Sequence, residues 1–353
     1  MHVGIYTECL TKRYTGVEVM AHRLVEEISK TNKVTCFHTK NKTHPLFTNV
    51  KHHLFRRSLP IPAYNQLASF FRMNCFNKVD LLHLPHPHVP FVKMPSIPVV
   101  MTVHDIIPAF HPEFHNTKRS FYFKHILPGF IRKMDAILAS SETTKTDLIT
   151  HYRLDEQKIH VVPLALPEKK NVVRTPQEFI LYLGTLEPRK NVDGIIKAYS
   201  LLRKQGITHK LVIAGGMGWN YEHIFKLVRQ SGLENEVIFK GYVDEDEKRR
   251  LYQTAALFVW PSFYEGFGLP VLEAMQYGVP VVTSTASSLA EIAADSALLA
   301  DPHSPESIAD AMSAALEPVM QKKLSRKGIE RARLFTIDNY VKKTIDVYSK
   351  VAR

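Results

Sequence analysis

Residues 257–284 read LFVWPSFYEGFGLPVLEAMQYGVPVVTS, and this stretch decides the fold. Four apolar residues, Leu257–Trp260, predict a buried strand, and a loop with two glycines follows them. Pro270 then predicts the first turn of a helix, where a missing backbone N–H costs nothing. The apolar run Val279–Thr283 predicts a second strand. A strand, a helix and another strand in this order indicate a parallel βαβ unit.

The same alternation of short apolar strands and amphipathic helices extends over the rest of the chain. A polar stretch without periodicity, residues 168–176, interrupts the alternation, which then restarts. The predicted fold class is α/β, with two Rossmann-like domains, residues 1–167 and 168–336, whose parallel sheets face each other across a cleft. We predict strands at residues 2–6, 34–37, 79–84, 97–103, 136–139, 159–163, 179–183, 210–214, 237–241, 257–260 and 279–283. We predict helices at about residues 17–30, 117–133, 142–151, 192–206, 219–232, 245–254, 270–278 and 337–351.

The net charge of +12 is unevenly distributed along the chain. Residues 1–165 contain 21 Lys and Arg against 12 Asp and Glu, whereas residues 166–353 contain 25 against 22. The basic first half predicts an anionic partner, such as a phosphorylated acceptor, a membrane surface or nucleic acid, unless the excess is plain solvated surface charge. No nucleic-acid motif accompanies the excess, and we therefore predict no nucleic-acid partner.

Cysteine spacing and hydropathy predict a cytoplasmic location. Cys9, Cys36 and Cys75 are widely spaced, without a CxxC pattern, which indicates reduced thiols rather than a disulfide framework or a zinc site. No run reaches the ~18 apolar residues that a spanning helix needs. The chain opens with a strand-like stretch and not with a basic-then-apolar signal region.

Two carboxylates bracket the loop within the opening stretch. Glu265 lies in the loop and Glu273 lies one turn into the following helix. Gly266 and Gly268 allow the backbone to approach a ligand closely, and the helix N-terminus offers free N–H groups to an anion. Carboxylates accept hydrogen bonds from vicinal hydroxyl pairs, which both sugars and ribose present. The helix macrodipole alone explains Glu273 but not the loop carboxylate, so the segment predicts a ligand site.

A second loop, GTLEPRKN at residues 184–191, also follows a predicted strand and precedes a helix. Arg189 and Lys190 lie where a diphosphate meets a helix N-terminus. In such a site Arg binds in bidentate fashion and Lys acts as a point charge. A basic pair on the surface is the plain alternative, but its position at a strand carboxyl end favours a ligand site.

Several stretches together resemble glycosyltransferase family 4, the retaining enzymes of GT-B fold. They are LYLGTLEPRKN, the turn Gly215-Gly216, FKGYVDEDE, FVWPSFYEGFGLPVLEAMQYGVPVVTS and SSLAEI, with weaker matches at TGVE and VHDIIP. Within the family the sequence looks most like mannosyltransferases that extend bacterial O-antigen-type polysaccharides. The resemblance implies transfer of a hexose from a nucleotide sugar, with GDP-mannose favoured, to a saccharide or polyprenyl-diphosphate-linked acceptor.

The resemblance also implies a role for each matching residue. It implies that Glu265 contacts hydroxyls of the transferred sugar and that Glu273 holds the ribose hydroxyls. Arg189 and Lys190 match the pair that neutralises the diphosphate, and His104 matches a histidine beside the anomeric carbon. Residues matching the donor-binding positions are Gly16, Gly184, Val243, Gly266, Phe267, Gly268 and Leu269. The family often has two adjacent glycines before the first helix, and this sequence has Thr15-Gly16 instead.

The helix at about residues 337–353 is amphipathic, and the resemblance implies that it packs back on the first domain. Membrane contact is the alternative interpretation of its apolar stripe. From the basic first domain and a lipid-linked acceptor we predict peripheral contact with the anionic cytoplasmic face of a membrane.

Two motifs imitate metal sites. The histidines of HLPHPH, residues 83–88, follow a predicted strand, but prolines interrupt them and no nearby carboxylate completes a site. We expect these histidines to line the acceptor side of the cleft. The run Asp244-Glu245-Asp246 imitates a DxD metal motif, but acidic residues are expected in the first turn of the helix that it opens. We therefore predict no metal site, no divalent-metal requirement and no cofactor, with Arg189 and Lys190 supplying the neutralising charge.

Other classes of protein fit the sequence less well. A nucleotide-sugar epimerase of the same fold needs a general acid/base pair that is not apparent. An oxidoreductase that binds a dinucleotide needs GxGxxG after the first strand, and residues 4–16 lack it. A non-catalytic binding module has no reason to combine the carboxylate-bracketed loop with an Arg-Lys pair. Glucosyl or other hexosyl transfer from a UDP- or ADP-sugar remains open within the family.

Overall fold

The computed structural model describes residues 1–7, 16–38, 50–54, 73–90, 93–114, 117–167 and 174–352. The chain forms two compact units. The N-terminal unit comprises Met1–Ala165 together with Ile337–Arg353, and the C-terminal unit comprises Leu166–Thr336. The predicted boundary, after residue 167, lies two residues further along the chain.

The described residues of each unit form one parallel sheet. The strands of the N-terminal unit are β1 His2–Tyr6, β2 Lys33–His38, β3 Lys51–Leu54, β4 Leu81–Leu84, β5 Val99–Val103, β6 Ala136–Ala139 and β7 Ile159–Val161. The strands of the C-terminal unit are β8 Phe179–Leu183, β9 Lys210–Ala214, β10 Val237–Gly241, β11 Leu257–Trp260, β12 Val281–Ser284 and β13 Leu298–Ala300. Most central strands are buried on both faces, which explains why they read as continuous apolar runs.

The two sheets have the same doubly wound order through six strands. The N-terminal sheet is ordered β3-β2-β1-β4-β5-β6-β7, and the C-terminal sheet is ordered β10-β9-β8-β11-β12-β13. The strand order reverses between β1 and β4 in the first sheet and between β8 and β11 in the second. Ligands of open parallel sheets bind at the carboxyl ends of the strands beside such a switch point. The prediction of two Rossmann-like parallel sheets is therefore confirmed.

Helices connect the strands. They are α1 Gly16–Ile28, α2 Met73–Phe76, α3 Ile107–Phe110, α4 Thr117–Phe121, α5 Leu127–Ile131, α6 Glu142–Tyr152, α7 Val192–Lys204, α8 Glu222–Gln230, α9 Glu245–Thr254, α10 Leu269–Gln276, α11 Ser288–Ala293, α12 Pro305–Leu316, α13 Pro318–Ala332 and α14 Ile337–Val351. A π-helical turn, Tyr122–Ile126, joins α4 directly to α5. In the described part of the chain, no helix has both the length and the apolar character that crossing a bilayer requires.

The last helix, α14, packs on the N-terminal unit. Tyr348 is fully buried, and its hydroxyl lies 2.6 Å from Nδ1 of His83 in β4. Val347 and Tyr340 are also buried, so that one stripe of the helix faces the unit. The apolar stripe of α14 is therefore covered by the chain's own sheet.

Candidate active site

The loops after β8 and β11 approach each other so closely that glycine is required at the end of β8. A Cβ atom on Gly184 would lie 2.5 Å from the Trp260 ring. Gly215, which follows β9, has a φ of +141°, and a Cβ there would lie 2.0 Å from the carbonyl oxygen of Gly184. Backbone rather than side chains therefore forms this edge of the sheet, which suits close approach to a ligand.

Asn191 fastens three loops at the same edge. It has a φ of 57°, in the left-handed region, and its Oδ1 accepts a hydrogen bond from the Gly194 backbone N–H at the start of α7, at 3.1 Å. Its Nδ2 donates to the carbonyl oxygens of Pro261, at 3.1 Å, and Pro302, at 2.6 Å. The side chain is buried, so it joins the loops that follow β8, β11 and β13.

Glu265 is held between the two predicted cations. Its Oε2 lies 2.7 Å from Nη1 of Arg189, and its Oε1 lies 2.5 Å from Nζ of Lys190. The Arg189 guanidinium also donates from Nη1 to the Tyr264 carbonyl oxygen, at 2.6 Å, and from Nη2 to Oε1 of Glu187, at 2.8 Å. Two carboxylates and two cations thus form one hydrogen-bonded cluster beside the switch point, which we call the charge cluster.

The charge cluster keeps the Glu265 carboxylate ionised. Burial alone would raise the pKa of this carboxyl, which is 7% exposed, but the charges of Arg189 and Lys190 outweigh burial and bring the pKa to about 2. Burial lowers the pKa of the Lys190 ammonium, against the opposing effect of Glu265. The Lys190 Nζ also lies 4.7 Å from the centre of the Trp260 ring, a cation–π distance.

Hydroxyl groups of α11 and the residue before it fix the backbone of the EGFGL loop. The Ser288 Oγ donates to the carbonyl oxygens of Glu265, at 2.8 Å, and Phe267, at 2.9 Å, and the Glu265 N–H donates to Oγ of Ser287 at 2.9 Å. Gly268, with a φ of +112°, directly precedes α10 and leads into Leu269, its first residue. The Phe267 side chain is buried against the ring of Phe335, with ring centres 5.8 Å apart. This loop therefore offers backbone groups rather than its aromatic side chain.

Glu273 has a separate set of partners on α9. Its Oε1 accepts a hydrogen bond from Nζ of Lys248 at 2.8 Å, and its Oε2 accepts one from the Tyr252 hydroxyl at 3.0 Å. Burial lowers the pKa of the Lys248 ammonium, but the nearby Glu273 carboxylate raises it by more. The pKa of Lys248 therefore lies above its usual value. Burial, reinforced by Glu273, raises the pKa of Tyr252 well above its usual value. Glu265 and Glu273 therefore belong to two different hydrogen-bonded groups of the same unit.

The DxD-like run is a helix start, as predicted. Asp244 directly precedes α9, and its Oδ1 accepts from the Glu247 N–H at 2.8 Å. Val243, predicted to bind donor through its backbone, is half-buried beside the exposed side chain of Tyr242. Within the described ranges, no group of three or more His, Cys, Asp or Glu side chains has the arrangement to hold a metal ion.

In the N-terminal unit, His104 follows β5 directly, as predicted. Its Nε2 lies 3.2 Å from the carbonyl oxygen of Pro85, and its own carbonyl oxygen accepts from Oγ of Ser140, at 2.8 Å, and Oγ1 of Thr144, at 3.1 Å. Burial lowers the pKa of His104, although Asp105 and the Pro85 contact oppose the shift. A neutral imidazole that donates from Nε2 leaves Nδ1 as an acceptor.

The expectation that His83 lines an acceptor surface is wrong. His83 is fully buried within β4, because its ring is enclosed between Oγ1 of Thr102, 2.8 Å from Nε2, and the hydroxyl of Tyr348. Burial lowers the pKa of His83 to about 3, so the ring is neutral. Beyond β4, His86 is half-buried and His88 is exposed, with ring centres 5.8 Å apart.

The remaining predicted residue of this unit, Gly16, is the first residue of α1. Tyr14 and Thr15, which precede it in the predicted ligand loop, lie outside the described residues, as does most of the predicted linker. The role of Gly16 stays a prediction.

Five residues that support the site were not identified from the sequence: Glu187, Asn191, Lys248, Tyr252 and Ser288. Asn191 could have been identified from the sequence, because Asn directly before a predicted helix is a common N-cap. Lys248 and Tyr252 lie four residues apart on α9 and therefore on one face, but no pattern indicates what that face contacts.

Comparisons with known proteins identify the family of the chain. The chain matches the family models "Glycosyltransferase Family 4" at residues 14–169 and "Glycosyl transferases group 1" at residues 167–334. O-antigen chain mannosyltransferase B of Escherichia coli is 33% identical over 264 residues, which are 70% of this chain and 69% of that protein. The serotype-specific mannosyltransferase WbdA of Escherichia coli is 29% identical over 272 residues, 71% of this chain but only 33% of WbdA.

Among solved structures, HepE of Anabaena in complex with UDP-glucose superposes with a TM-score of 0.75 at 15% identity. The match covers 99% of this chain and 100% of that chain, and it concerns the fold. With the family models and the mannosyltransferase relatives, it establishes the class: the chain belongs to glycosyltransferase family 4 and has the two Rossmann-like units of the GT-B fold.

Proposed function

We propose that the chain catalyses retaining transfer of a hexose, with mannose favoured, from a nucleotide sugar to a glycan or lipid-linked saccharide, without a divalent metal. The observation that carries this proposal is the charge cluster, in which Glu265 lies between Arg189 and Lys190 beside the switch point of the C-terminal sheet. A carboxylate suited to sugar hydroxyls and two cations suited to a diphosphate are thus within hydrogen-bonding distance of each other.

In the proposed reaction the acceptor oxygen bonds to the anomeric carbon on the face from which the nucleoside diphosphate departs. The bond between that carbon and the diphosphate oxygen breaks, its electron pair goes to the diphosphate, and the acceptor proton is transferred to the departing phosphate. Arg189 and Lys190 stabilise the negative charge that develops there, which is the largest contribution that such a site makes. His104 contacts the transferred sugar through Nδ1, and Glu273 with its α9 partners holds the ribose.

Mannose is favoured because two relatives of the chain, 33% and 29% identical to it, are mannosyltransferases of Escherichia coli. A glucosyl or other hexosyl transfer from a UDP- or ADP-sugar is the second candidate, since HepE shares the fold and its structure contains UDP-glucose. A thermal-shift comparison of GDP-, UDP- and ADP-sugars decides between them, because a bound donor raises the unfolding temperature by mass action. An epimerase is the remaining alternative, and it would change the donor in the absence of any acceptor.

We further propose a polyprenyl-diphosphate-linked saccharide as acceptor and a location in the cytoplasm, with peripheral contact at the cytoplasmic membrane face. The basic N-terminal half supports an acceptor or surface that carries phosphate. The thiols of Cys36 and Cys75 are not in disulfides, which fits a reducing compartment.

The decisive experiment replaces Arg189 and Lys190 together with Ala and measures sugar transfer. The matched control is Arg203→Ala with Lys204→Ala, which removes the same dipeptide charge at the opposite end of α7. We expect the first variant to lose transfer by a factor on the order of 10³, because each cation is positioned for the leaving group, and the control to retain it. Near-wild-type transfer by the Arg189 and Lys190 variant would contradict the proposed role of the charge cluster in sugar transfer.

Two further measurements test the finer parts of the proposal. NMR of the product reads the anomeric configuration, and inversion excludes the front-face route. Activity after chelation reads the metal requirement: if chelation abolishes transfer and a divalent ion restores it, the metal-independent mechanism is wrong.

A further inference from the structure

One face of the N-terminal unit combines lysines with exposed apolar side chains. It lies on the continuous helical segment Thr117–Ile131 and the two residues after it. Phe121 is 58% exposed and Ile126 is 37% exposed. Residues 117–133 contain five Lys or Arg and no Asp or Glu, so nothing within the segment neutralises its charge.

The π-helical turn explains why the two apolar side chains lie together. In an α-helix, residues five apart lie about 140° from each other around the axis, on different faces. The N–H of Leu127 bonds to the carbonyl of Tyr122, five residues earlier, so the turn is wider and positions five apart come to the same side. Phe121 and Ile126 therefore point outward together, with Lys118 and Lys124 exposed beside them.

The opposite face of the segment is firmly anchored. Phe123, Leu127 and Ile131 are buried, and the Tyr152 hydroxyl donates to the Phe123 carbonyl oxygen at 2.5 Å. The Arg132 guanidinium donates to the Tyr152 carbonyl oxygen at 3.0 Å. The exposed lysines and apolar side chains thus lie on a segment whose opposite face is held by the rest of the unit.

We propose that this surface, formed by Lys118, Phe121, Lys124, Ile126 and Lys133, docks the chain on an anionic lipid bilayer. Lysines attract the negatively charged headgroups, and apolar side chains between them enter the interface, the combination that interfacial helices use. An aliphatic side chain such as Ile126 has no π-face on which a nucleobase could stack, which favours lipid over nucleic acid.

The surface is connected to the loops that follow β4 and β5. The Val89 N–H donates to the Tyr122 hydroxyl at 3.4 Å, and α3, which starts three residues after His104, packs against the π-helical turn. Docking would therefore bring the bilayer close to the end of the sheet that carries His104. This use of the surface rests on the proposed function, in which the acceptor is linked to a lipid.

The test is sedimentation of the full chain with vesicles of phosphatidylcholine, with and without phosphatidylglycerol. We expect binding only to the anionic vesicles, weakening as salt is added. The variant Lys118→Gln, Lys124→Gln, Lys133→Gln should reduce the partition coefficient roughly a hundredfold. Phe121→Ser with Ile126→Ser should reduce it by about tenfold or more.

The matched control is Lys322→Gln, Lys323→Gln, Arg326→Gln, which removes the same charge from exposed positions of α13 in the other unit. It should bind within about twofold of wild type, as should the charge-preserving variant in which Lys118, Lys124 and Lys133 become Arg. Thermal unfolding of each variant checks that it is folded. Equal losses in the α13 control, or equal binding to neutral vesicles, would overturn the proposal.

Two further outcomes are informative. If a single-stranded oligonucleotide displaces the chain from vesicles and binds through the same lysines more tightly, the surface recognises nucleic acid and the lipid assignment is wrong. Transfer to a soluble saccharide acceptor is measured in parallel. A chain that transfers sugar but ignores anionic vesicles refutes the docking surface alone, whereas vesicle binding without transfer to any acceptor refutes the proposed function alone.

Discussion

The N-terminal and C-terminal sheets share a strand order, yet the polar residues near their switch points are held by different forces. In the C-terminal unit, Glu187, Arg189, Lys190 and Glu265 form ion pairs of 2.5–2.8 Å. In the N-terminal unit, the buried His83 is neutral and hydrogen-bonded to hydroxyl groups. The C-terminal unit thus has paired charges at its sheet edge, whereas the N-terminal unit has a neutral imidazole buried within its sheet.

The proposed function makes the charge cluster the place where the donor binds. The four charged groups of the cluster sum to zero, so an incoming diphosphate would compete with Glu265 for the N–H groups of Arg189 and Lys190. A carboxylate that loses part of these contacts requires new hydrogen-bond donors, which the hydroxyls of a sugar would supply. A ligand that carries both groups satisfies all three residues, whereas a bare diphosphate leaves Glu265 unpaired.

The largest expected effect comes from removing the charge of Glu265. Glu265→Gln should reduce kcat by about 10²–10³, equivalent to about 3–4 kcal/mol of transition-state stabilisation, because both cations lose their shared partner. Glu187→Gln, which removes the other carboxylate bound to Arg189, should cost no more than about tenfold, because the Glu265 contact still orients the guanidinium. Steady-state kinetics on both variants measures the contrast, and equal losses would show that Glu265 only positions Arg189.

The next effect is on stability and concerns Asn191. Asn191→Ala should lower the free energy of unfolding by about 3 kcal/mol, because it leaves buried backbone groups without partners and puts Ala in the left-handed region. Asn220 has a similar φ of 51° but is exposed, so Asn220→Ala should cost about 1 kcal/mol. Urea denaturation compares the two. A similar cost at both positions would mean that strain, and not the joining of three loops, explains the effect.

Much of the charge cluster was predictable because its residues follow strong apolar strands. Parallel strands bring their carboxyl ends to one edge of a sheet, so Arg189 and Glu265 were both expected there. Their direct contact depends on the adjacency of β8 and β11, which chain order does not give. The roles assigned to them came from family resemblance and not from periodicity. Short edge strands such as β3, with the sequence KHHL, lack an apolar run and were missed.

Residues whose partners are distant or are backbone atoms were not predictable. The partner of His83, Tyr348, lies 265 residues further along the chain, and its strand reads LLHL without marking the histidine as buried. Two partners of Asn191 are backbone carbonyl oxygens of prolines. The pattern of side chains in a sequence does not show which backbone atoms accept hydrogen bonds. The wide turn that aligns Phe121 with Ile126 is equally invisible, since a π-turn has no sequence signature comparable to a cap.

The buried His83 makes the stability of the N-terminal unit depend on pH. Its folded-state pKa of about 3 lies below the usual 6.5, so the unfolded chain binds the proton first as pH falls. Stability from this group is therefore complete above about pH 6.5 and declines below it by up to about 1.4 kcal/mol per pH unit, or about 2 kcal/mol at pH 5. His83→Gln should remove this slope. Because the other histidines are the same in both proteins, the measurement is the difference between wild-type and variant urea stability at pH 7.5 and 5. A difference that does not change with pH would contradict a neutral buried imidazole.

The smallest effect separates the two glutamates of the C-terminal unit. Tyr252→Phe removes a hydrogen bond to Glu273 and should cost about 1 kcal/mol, because the acceptor is charged but Lys248 remains. If Glu273 holds the ribose equally in ground and transition states, the donor KM should rise about fivefold with kcat unchanged. Tyr199→Phe is the matched control, since its buried hydroxyl donates to the His209 carbonyl at 2.8 Å, outside the site. Tyr199→Phe should lose a similar amount of stability without changing the donor KM. A fall in kcat for Tyr252→Phe would instead mean that Glu273 acts in the chemical step, as we propose for Glu265.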